Sequence, residues 1–146
     1  MYAIGDLHLC LGADKPMDIF GGRWDDYVKK IEYEWKNAVK EEDFVIINGD
    51  FSWATYLDEA LRDFQFIESL PGKKLLSKGN HDYWWETLTK MRKYLEEKGC
   101  ITPKEAENIC DKSAATVRRY LGMLTATGII VAEGNTNNII YRVKEL

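Results

Sequence analysis

The chain contains the run Phe44-Val45-Ile46-Ile47-Asn48-Gly49-Asp50, in which four apolar residues precede an asparagine, a glycine and an aspartate. A continuous apolar run of this length is typical of a strand buried in a parallel sheet. Outward from it, Tyr2-Ala3-Ile4 precedes Gly5-Asp6-Leu7-His8, and a strand expected at 73–76 precedes Gly79-Asn80-His81-Asp82. Each expected strand therefore ends in a glycine-containing turn that carries polar side chains.

Two helical patterns separate the three expected strands. Apolar residues recur at helical spacing from Trp24 to Lys40 and again from Tyr56 to Leu70, where Pro71-Gly72 ends the pattern. The alternation implies right-handed crossovers and an α/β fold with a parallel βαβαβ sheet. Because open α/β sheets bind ligands at the carboxyl ends of their strands, we expect the polar turns to lie together.

Composition limits the class of protein. The 146 residues are 45% hydrophobic and 30% charged with a net charge of −4, which favours a soluble globular chain of one domain or two small ones. The apolar runs are too short to span a membrane, and no signal peptide is predicted. Three separated cysteines (Cys10, Cys100 and Cys110) suggest reduced thiols and a cytoplasmic location. The negative charge argues against a general nucleic-acid binder.

The converging turns predict a site with two carboxylates, two imidazoles and one amide. This set suits borderline divalent metals such as Mn, Fe, Zn or Co. The site would contain Asp6, His8, Asp50, Asn80 and His81. The alternative is that the aspartates and the asparagine cap turns or helices, and that His8 is an ordinary loop histidine.

The three motifs, in this order, resemble the N-terminal half of the calcineurin-like metallophosphoesterases. They are Gly-Asp-x-His, Gly-Asp and Gly-Asn-His-Asp, and the resemblance covers residues 1–99. It implies a two-metal site that hydrolyses a phosphate mono- or diester. By the same resemblance, Asp6 and His8 bind the first metal, Asp50 bridges both metals, and Asn80 binds the second.

The resemblance also implies two catalytic residues. His81 would act as general acid or stabilise the leaving oxygen, and Asp82 would orient His81 through the other ring nitrogen. Complete members of the family take further histidine ligands from a second half, usually one alone and then a Gly-His-x-His pair. Once His8 and His81 are assigned, this chain has no histidine left. The resemblance therefore implies that one metal ion or none is bound and that activity is weak or absent.

Residues 100–146 differ in composition from residues 1–99. They carry six Lys/Arg and five Asp/Glu, whereas the first part carries 14 and 19. Gly99 can end a helix that begins near Tyr83, so we place the domain boundary there. The helix over 83–98 could belong to either part.

The second part has the pattern helix, helix, hairpin. Thr102-Pro103 opens a short helix, and the spacing of Val117, Leu121 and Leu124 predicts a longer one. A hairpin pattern follows, made of Ile129-Ile130-Val131, Gly134-Asn135-Thr136-Asn137 and Ile139-Ile140-Tyr141.

With a preceding helix, residues 87–143 resemble a winged helix-turn-helix domain, a small α+β fold. The resemblance implies DNA binding, with the second helix of the motif in the major groove. The candidate nucleic-acid contacts are Ser113, Thr116, Arg118 and Arg119. Small winged helices also serve as protein-interaction modules, and the net charge of +1 over residues 100–146 favours that alternative.

The shared helix leaves the origin of the chain open. A splice near Gly99-Cys100-Ile101 would make it a recombined chimera without evolved activity. Alternatively, it is a natural fusion whose missing half comes from a partner or from self-association. Self-association would cover a face of the parallel sheet that would otherwise be exposed.

Overall fold

The computed structural model describes residues 1–15, 17–135 and 138–144. Two compact units divide between Trp85 and Glu86. The helix that the sequence left shared is therefore grouped almost entirely with the second unit. Within the described residues, every helix is too short or too polar to cross a membrane.

The first unit is built on a parallel three-stranded sheet. Its strands are β1 (Tyr2–Ile4), β2 (Phe44–Asn48) and β3 (Lys73–Ser77), in the order β1-β2-β3. Ile47 of β2 lies opposite Leu76 of β3 in the parallel register. The structure thus confirms the three predicted strands and their parallel arrangement.

Helix α1 (Tyr27–Ala38) connects β1 to β2 and is shorter than the predicted helix over 24–40. It begins only at Tyr27 because Asp26 has a left-handed backbone with φ 51°. It ends at Ala38 because Val39 is extended, with φ −100° and ψ 134°. The helical spacing of apolar side chains does not reveal the backbone conformations of Asp26 and Val39, so both predicted ends of the helix were wrong.

Helix α2 (Leu57–Glu68) connects β2 to β3, within the predicted range of 56–70. Its start is fixed by Glu59, whose carboxylate accepts the backbone N–H of Tyr56 at 3.1 Å. A carboxylate in the first helical turn also interacts favourably with the positive end of the helix dipole.

Both crossovers lie on one face of the sheet, because consecutive right-handed βαβ units place their helices on the same side. On that face Val45 and Ile47 are each 1% exposed. Side chains alternate along a strand, so their neighbours point to the other face. There Phe44 is 45% exposed and Leu75 is 56% exposed. The sheet is therefore covered on one face and open to solvent at these positions on the other.

The second unit contains three helices followed by an antiparallel hairpin. The elements are α3 (Trp85–Lys98), α4 (Pro103–Cys110), α5 (Ala114–Ala126), β4 (Ile130–Glu133) and β5 (Ile140–Val143). Thr102 caps α4 as predicted, since its hydroxyl accepts the Glu105 N–H at 3.2 Å. Thr136 and Asn137, part of the predicted turn, lie outside the described residues.

The core of the second unit is continuous from helix to hairpin. Ile101 and Tyr141 exchange two backbone hydrogen bonds of 2.9 Å, which join the α3–α4 connection to β5. Its buried apolar side chains come from all three helices, from the α3–α4 connection and from β4. They are Met91, Leu95, Ile101, Ala106, Cys110, Val117, Leu121, Leu124 and Ile130. This unit therefore has an apolar core of its own.

Candidate metal centre

Three of the predicted metal ligands meet at the carboxyl edge of the sheet. One ligand atom from each of Asp6, His8 and Asp50 lies within 4.8 Å of the other two. Backbone hydrogen bonds hold the two loops together, from Asp6 N–H to the Gly49 carbonyl at 3.2 Å and from His8 N–H to the Asp50 carbonyl at 2.9 Å. The parallel sheet thus brings together residues that are more than 40 positions apart in sequence.

The backbone of these three residues is strained. Asp6, His8 and Asp50 have φ values of 54°, 43° and 47°. The left-handed region costs a non-glycine residue on the order of 1 kcal/mol, so it persists only where the surroundings impose it. Five non-glycine residues in the described part of the chain have positive φ, and three belong to this group. Such clustering of strain is typical of a functional site.

The donor set fits a divalent cation. In the described part of the chain, no protein group forms a hydrogen bond with the buried Nδ1 of His8. Its Nε2 lies 3.9 Å from a carboxylate oxygen of Asp6, whose side chain is 78% exposed. Asp50 is 7% exposed. An imidazole and two carboxylates match the preferences of Mn, Fe, Zn and Co.

Two glycines allow the loops after β2 and β3 to approach each other. A Cβ at Gly49 would lie 2.9 Å from the Cα of Gly79. A Cβ at Gly79 would lie 2.1 Å from both the backbone nitrogen and Oδ1 of Asp50. Side chains at these positions are therefore excluded by the geometry that holds Asp50 in place.

The loop after β3 lies against the group. The backbone N–H of His81 donates to Oδ1 of Asp50 at 2.9 Å. The rings of His81 and His8 are 5.7 Å apart, centre to centre. Asn80 is exposed beside His81. The structure thus places His81 near the three clustered residues, while the second-metal role of Asn80 remains a prediction.

Asp82 is fully buried and binds backbone. Its Oδ1 accepts the N–H groups of Phe51 at 3.0 Å and Ser52 at 3.2 Å. Its Oδ2 accepts the N–H of Gly79 at 2.8 Å. Asp82 therefore ties the loop after β2 to the loop after β3. The expected orienting contact with the imidazole of His81 remains a prediction.

Asp63 of α2 also supports the loops, and the sequence motifs did not identify it. Its carboxylate accepts the backbone N–H of Leu11 at 2.8 Å and the hydroxyl of Ser52, so it joins the loops after β1 and β2. Burial raises the pKa of Asp63, although both hydrogen bonds act to lower it. The sequence alone could have identified Asp63, because a charged residue between Ala60 and Ile67 interrupts the apolar face of α2.

Tyr27 anchors the loop after β1 to helix α1. Its hydroxyl donates to the carbonyl oxygen of His8 at 2.8 Å. Burial, together with the nearby thiol of Cys10, raises the pKa of Tyr27 well above its ordinary value. The hydroxyl therefore stays protonated and remains a donor across the physiological pH range.

The predicted nucleic-acid contacts lie in the second unit, at the start of α5 and on its first two turns. Ser113 caps the helix by accepting the Thr116 N–H at 3.3 Å. Arg118 and Arg119 are exposed on the same helix. The structure thus groups the four residues on one short segment, and their contact with DNA remains a prediction.

The fold and the site define an α/β protein with a candidate metal centre at the carboxyl ends of parallel strands. Residues 1–138 match the family model of the calcineurin-like phosphoesterases. The chain therefore belongs to the calcineurin-like phosphoesterase family, which implies the use of divalent metal and a phosphate ester substrate. The match confirms the metallophosphoesterase resemblance and continues past Gly99. No curated protein and no solved structure matches the chain.

Proposed function

We propose that the chain is a metal-dependent phosphoesterase that hydrolyses a phosphate mono- or diester, with activity limited by an incomplete ligand set. The observation that carries this proposal is the convergence of Asp6, His8 and Asp50 on one point with strained backbones. The family match supports the reaction class.

In this proposal each loop has a role in holding metal. Asp6, His8 and Asp50 hold one divalent ion, and Asn80 contributes to a second position next to it. When bound, the divalent ions supply Lewis-acid polarisation of the phosphoryl group and activate water. Because Asp6 is exposed and Asp50 is nearly buried, a phosphate ester could reach an ion that these residues would hold.

His81 supplies a proton in the same proposal. It would protonate the leaving-group oxygen as general acid. Its backbone N–H is fixed by Oδ1 of Asp50, so the carboxylate that holds the ion also positions the proton donor. Asp82 supports this arrangement by fixing the Gly79 N–H on the same loop.

The test compares Asp50→Asn with the wild-type chain. We expect the variant to lose turnover of bis(p-nitrophenyl) phosphate and p-nitrophenyl phosphate. We also expect its affinity for Mn²⁺ to fall by more than the ~10–100-fold that removal of a supporting partner costs, because a ligand itself is lost. Calorimetric titration with Mn²⁺ and product absorbance measure the two effects.

Asp111→Asn is the matched control. Asp111 also has a left-handed backbone, with φ 51° against 47° for Asp50, but it ends helix α4 in the second unit. Its substitution should leave metal affinity and turnover unchanged. A wild-type protein that binds no stoichiometric Mn²⁺, Fe²⁺, Zn²⁺ or Co²⁺ and turns over neither ester would contradict the proposal.

A second proposal concerns the second unit, as a winged-helix module that binds DNA or another protein. Its support is the order of three helices and a hairpin, joined by the Ile101–Tyr141 pair. In a DNA complex, Ser113, Thr116 and Arg119 would contact base edges, and Arg118 would lie near phosphate.

Salt-dependent binding of the full chain to a random-sequence duplex tests this second proposal. Arg119→Ala should weaken binding, because a positive charge that faces the duplex is lost. Arg92→Ala, which removes an exposed arginine paired with Glu96 at 2.7 Å, is the control. If no duplex is retained at low salt, DNA binding is excluded. A folded chain that also binds no metal would then favour a recombined protein without evolved activity.

A further inference from the structure

The two histidines of the chain contact the same tryptophan. The ring of Trp53 lies 4.7 Å from the ring of His8, centre to centre, and nearly perpendicular to it at 87°. It lies 4.6 Å from the ring of His81, tilted by 44°. His8 follows β1, Trp53 follows β2 and His81 follows β3. One indole therefore joins side chains from all three loops of the candidate metal centre.

The backbone of Trp53 is fixed in place. Its N–H donates to the carbonyl oxygen of Leu9 at 2.7 Å. The preceding residue, Ser52, forms an isolated parallel bridge with Leu9. The carbonyl oxygen of Trp53 accepts a hydrogen bond from Nζ of Lys15 at 3.4 Å. The indole thus extends from an anchored position toward the two imidazoles.

The protein groups in the described part of the chain do not form, at His8, the hydrogen bond that usually orients a metal-ligating histidine. Such an imidazole normally donates its second ring nitrogen to a carboxylate, a carbonyl or water, which fixes the plane of the ring. In the described part of the chain, no protein group forms this hydrogen bond with the buried Nδ1 of His8. The edge-to-face contact with the Trp53 ring can fix that plane instead, because such ring pairs favour one orientation.

We propose that Trp53 is a positioning residue that holds the imidazoles of His8 and His81 in one mutual arrangement before metal or substrate binds. The proposal rests on the proposed function in assigning His8 to the metal and His81 to proton transfer. A single side chain then fixes both the ligand and the acid, so its loss disturbs the two together.

The test measures ring geometry in the metal-free protein. Because the chain has two histidines, histidine-labelled protein gives two imidazole ring systems, which His8→Gln assigns. We expect a nuclear Overhauser effect between the two rings in the wild type and its loss in Trp53→Leu. Trp24→Leu is the matched control. Trp24 is also half-buried, but it precedes α1 and its ring contacts Tyr27, the first residue of that helix. Its substitution should leave the effect intact.

Metal affinity provides the second readout. We expect Trp53→Leu to raise the Kd for Mn²⁺ by about 10–100-fold, the usual cost of losing a residue that supports a ligand. Trp24→Leu should leave the Kd unchanged. If the wild type binds no Mn²⁺, the proposed function fails, while the ring-to-ring effect still decides the role of Trp53.

Retention of the ring-to-ring effect at full strength in folded Trp53→Leu would overturn the proposal. If that variant does not fold, Trp53→Phe decides by the same criterion. The smaller phenyl ring is expected to lose contact with one imidazole and to weaken the effect. A ring-to-ring effect of full strength in folded Trp53→Phe would then overturn the proposal.

Discussion

At the scale of single residues, a tight steric constraint falls on Gly79, which carries no reactive group. Its α-carbon faces Asp50 so closely that a methyl group would overlap both the backbone nitrogen and the carboxylate of Asp50. That carboxylate also accepts the N–H of His81. Gly79 is therefore required by its small size, because it lets the loops after β2 and β3 close around the site.

We expect Gly79→Ala to impair the metal centre more than it impairs the fold. The added methyl group must displace Asp50, so Mn²⁺ affinity and any phosphoesterase turnover should fall by at least about 10-fold, as for loss of a supporting partner. Titration with Mn²⁺ and urea unfolding of the same sample separate the two effects.

Gly122→Ala is the control for this substitution. A Cβ at Gly122 meets no atom within 4 Å, and the residue lies inside helix α5. Alanine there should stabilise the chain by about 0.5–1 kcal/mol and leave metal binding unchanged. If Gly79→Ala binds Mn²⁺ as tightly as the wild type does, the loops after β2 and β3 can separate without loss of metal affinity, which would contradict the prediction.

The sequence predicted part of the site at this scale, and the reason lies in the motifs. Asp6, His8 and Asp50 follow strands closely, so the topology alone brings them together. Trp53 follows a strand as well, but its contacts depend on side-chain packing between loops that are far apart in sequence. The backbone contacts of Asp82 depend on the closed shape of two loops. Neither can be deduced from spacing.

At the scale of secondary structure elements, α2 supports the site through Asp63. The carboxylate lies on the face of the helix that is otherwise apolar and has no exposed surface. It joins Leu11 to Ser52, which are 41 positions apart in sequence. The helix thus contributes hydrogen bonds that connect the two loops as well as apolar packing.

Asp63 should make the stability of the first unit depend on pH. Burial raises its pKa above the ordinary 3.8, so the folded chain binds this proton more tightly than the unfolded chain does. Its contribution to the free energy of unfolding is therefore largest below pH 3.8 and falls as the pH rises through the raised pKa. Relative to Asp63→Asn, the wild type should lose stability as the pH rises from 3.8 through the raised pKa of Asp63.

Urea unfolding of the wild type and Asp63→Asn, from about pH 3 to about pH 7, measures the difference. Asp25→Asn, at an exposed aspartate before α1, provides the matched control and should show no such trend. A wild type that gains stability relative to Asp63→Asn as the pH rises would contradict a raised pKa for Asp63.

The elements themselves were predicted with different success at their centres and at their ends. Apolar runs identified the three strands and the faces of α1 and α2. The start of α1 was misplaced because the left-handed Asp26 interrupts a pattern that otherwise extends to Trp24. Helix α3 begins at Trp85 and not near Tyr83, because Tyr83 and Trp84 form a turn in which the Trp85 N–H donates to the Asp82 carbonyl at 3.1 Å.

At the scale of the whole molecule, the sheet of the first unit has unequal faces. Parallel sheets are normally buried on both faces. Here Phe44 and Leu75 stay about half exposed, although each belongs to an apolar stretch of its strand. The family pattern predicted this open face, and the self-association proposed to cover it remains a prediction.

The division into two units has an optical consequence. All five tryptophans of the chain lie at or before Trp85, the last residue of the first unit. Intrinsic tryptophan emission therefore reports mainly unfolding of the first unit, whereas far-ultraviolet circular dichroism reports helices from both. Coincident denaturation curves from the two signals would indicate one cooperative transition, and separated curves would resolve the two units without any added label.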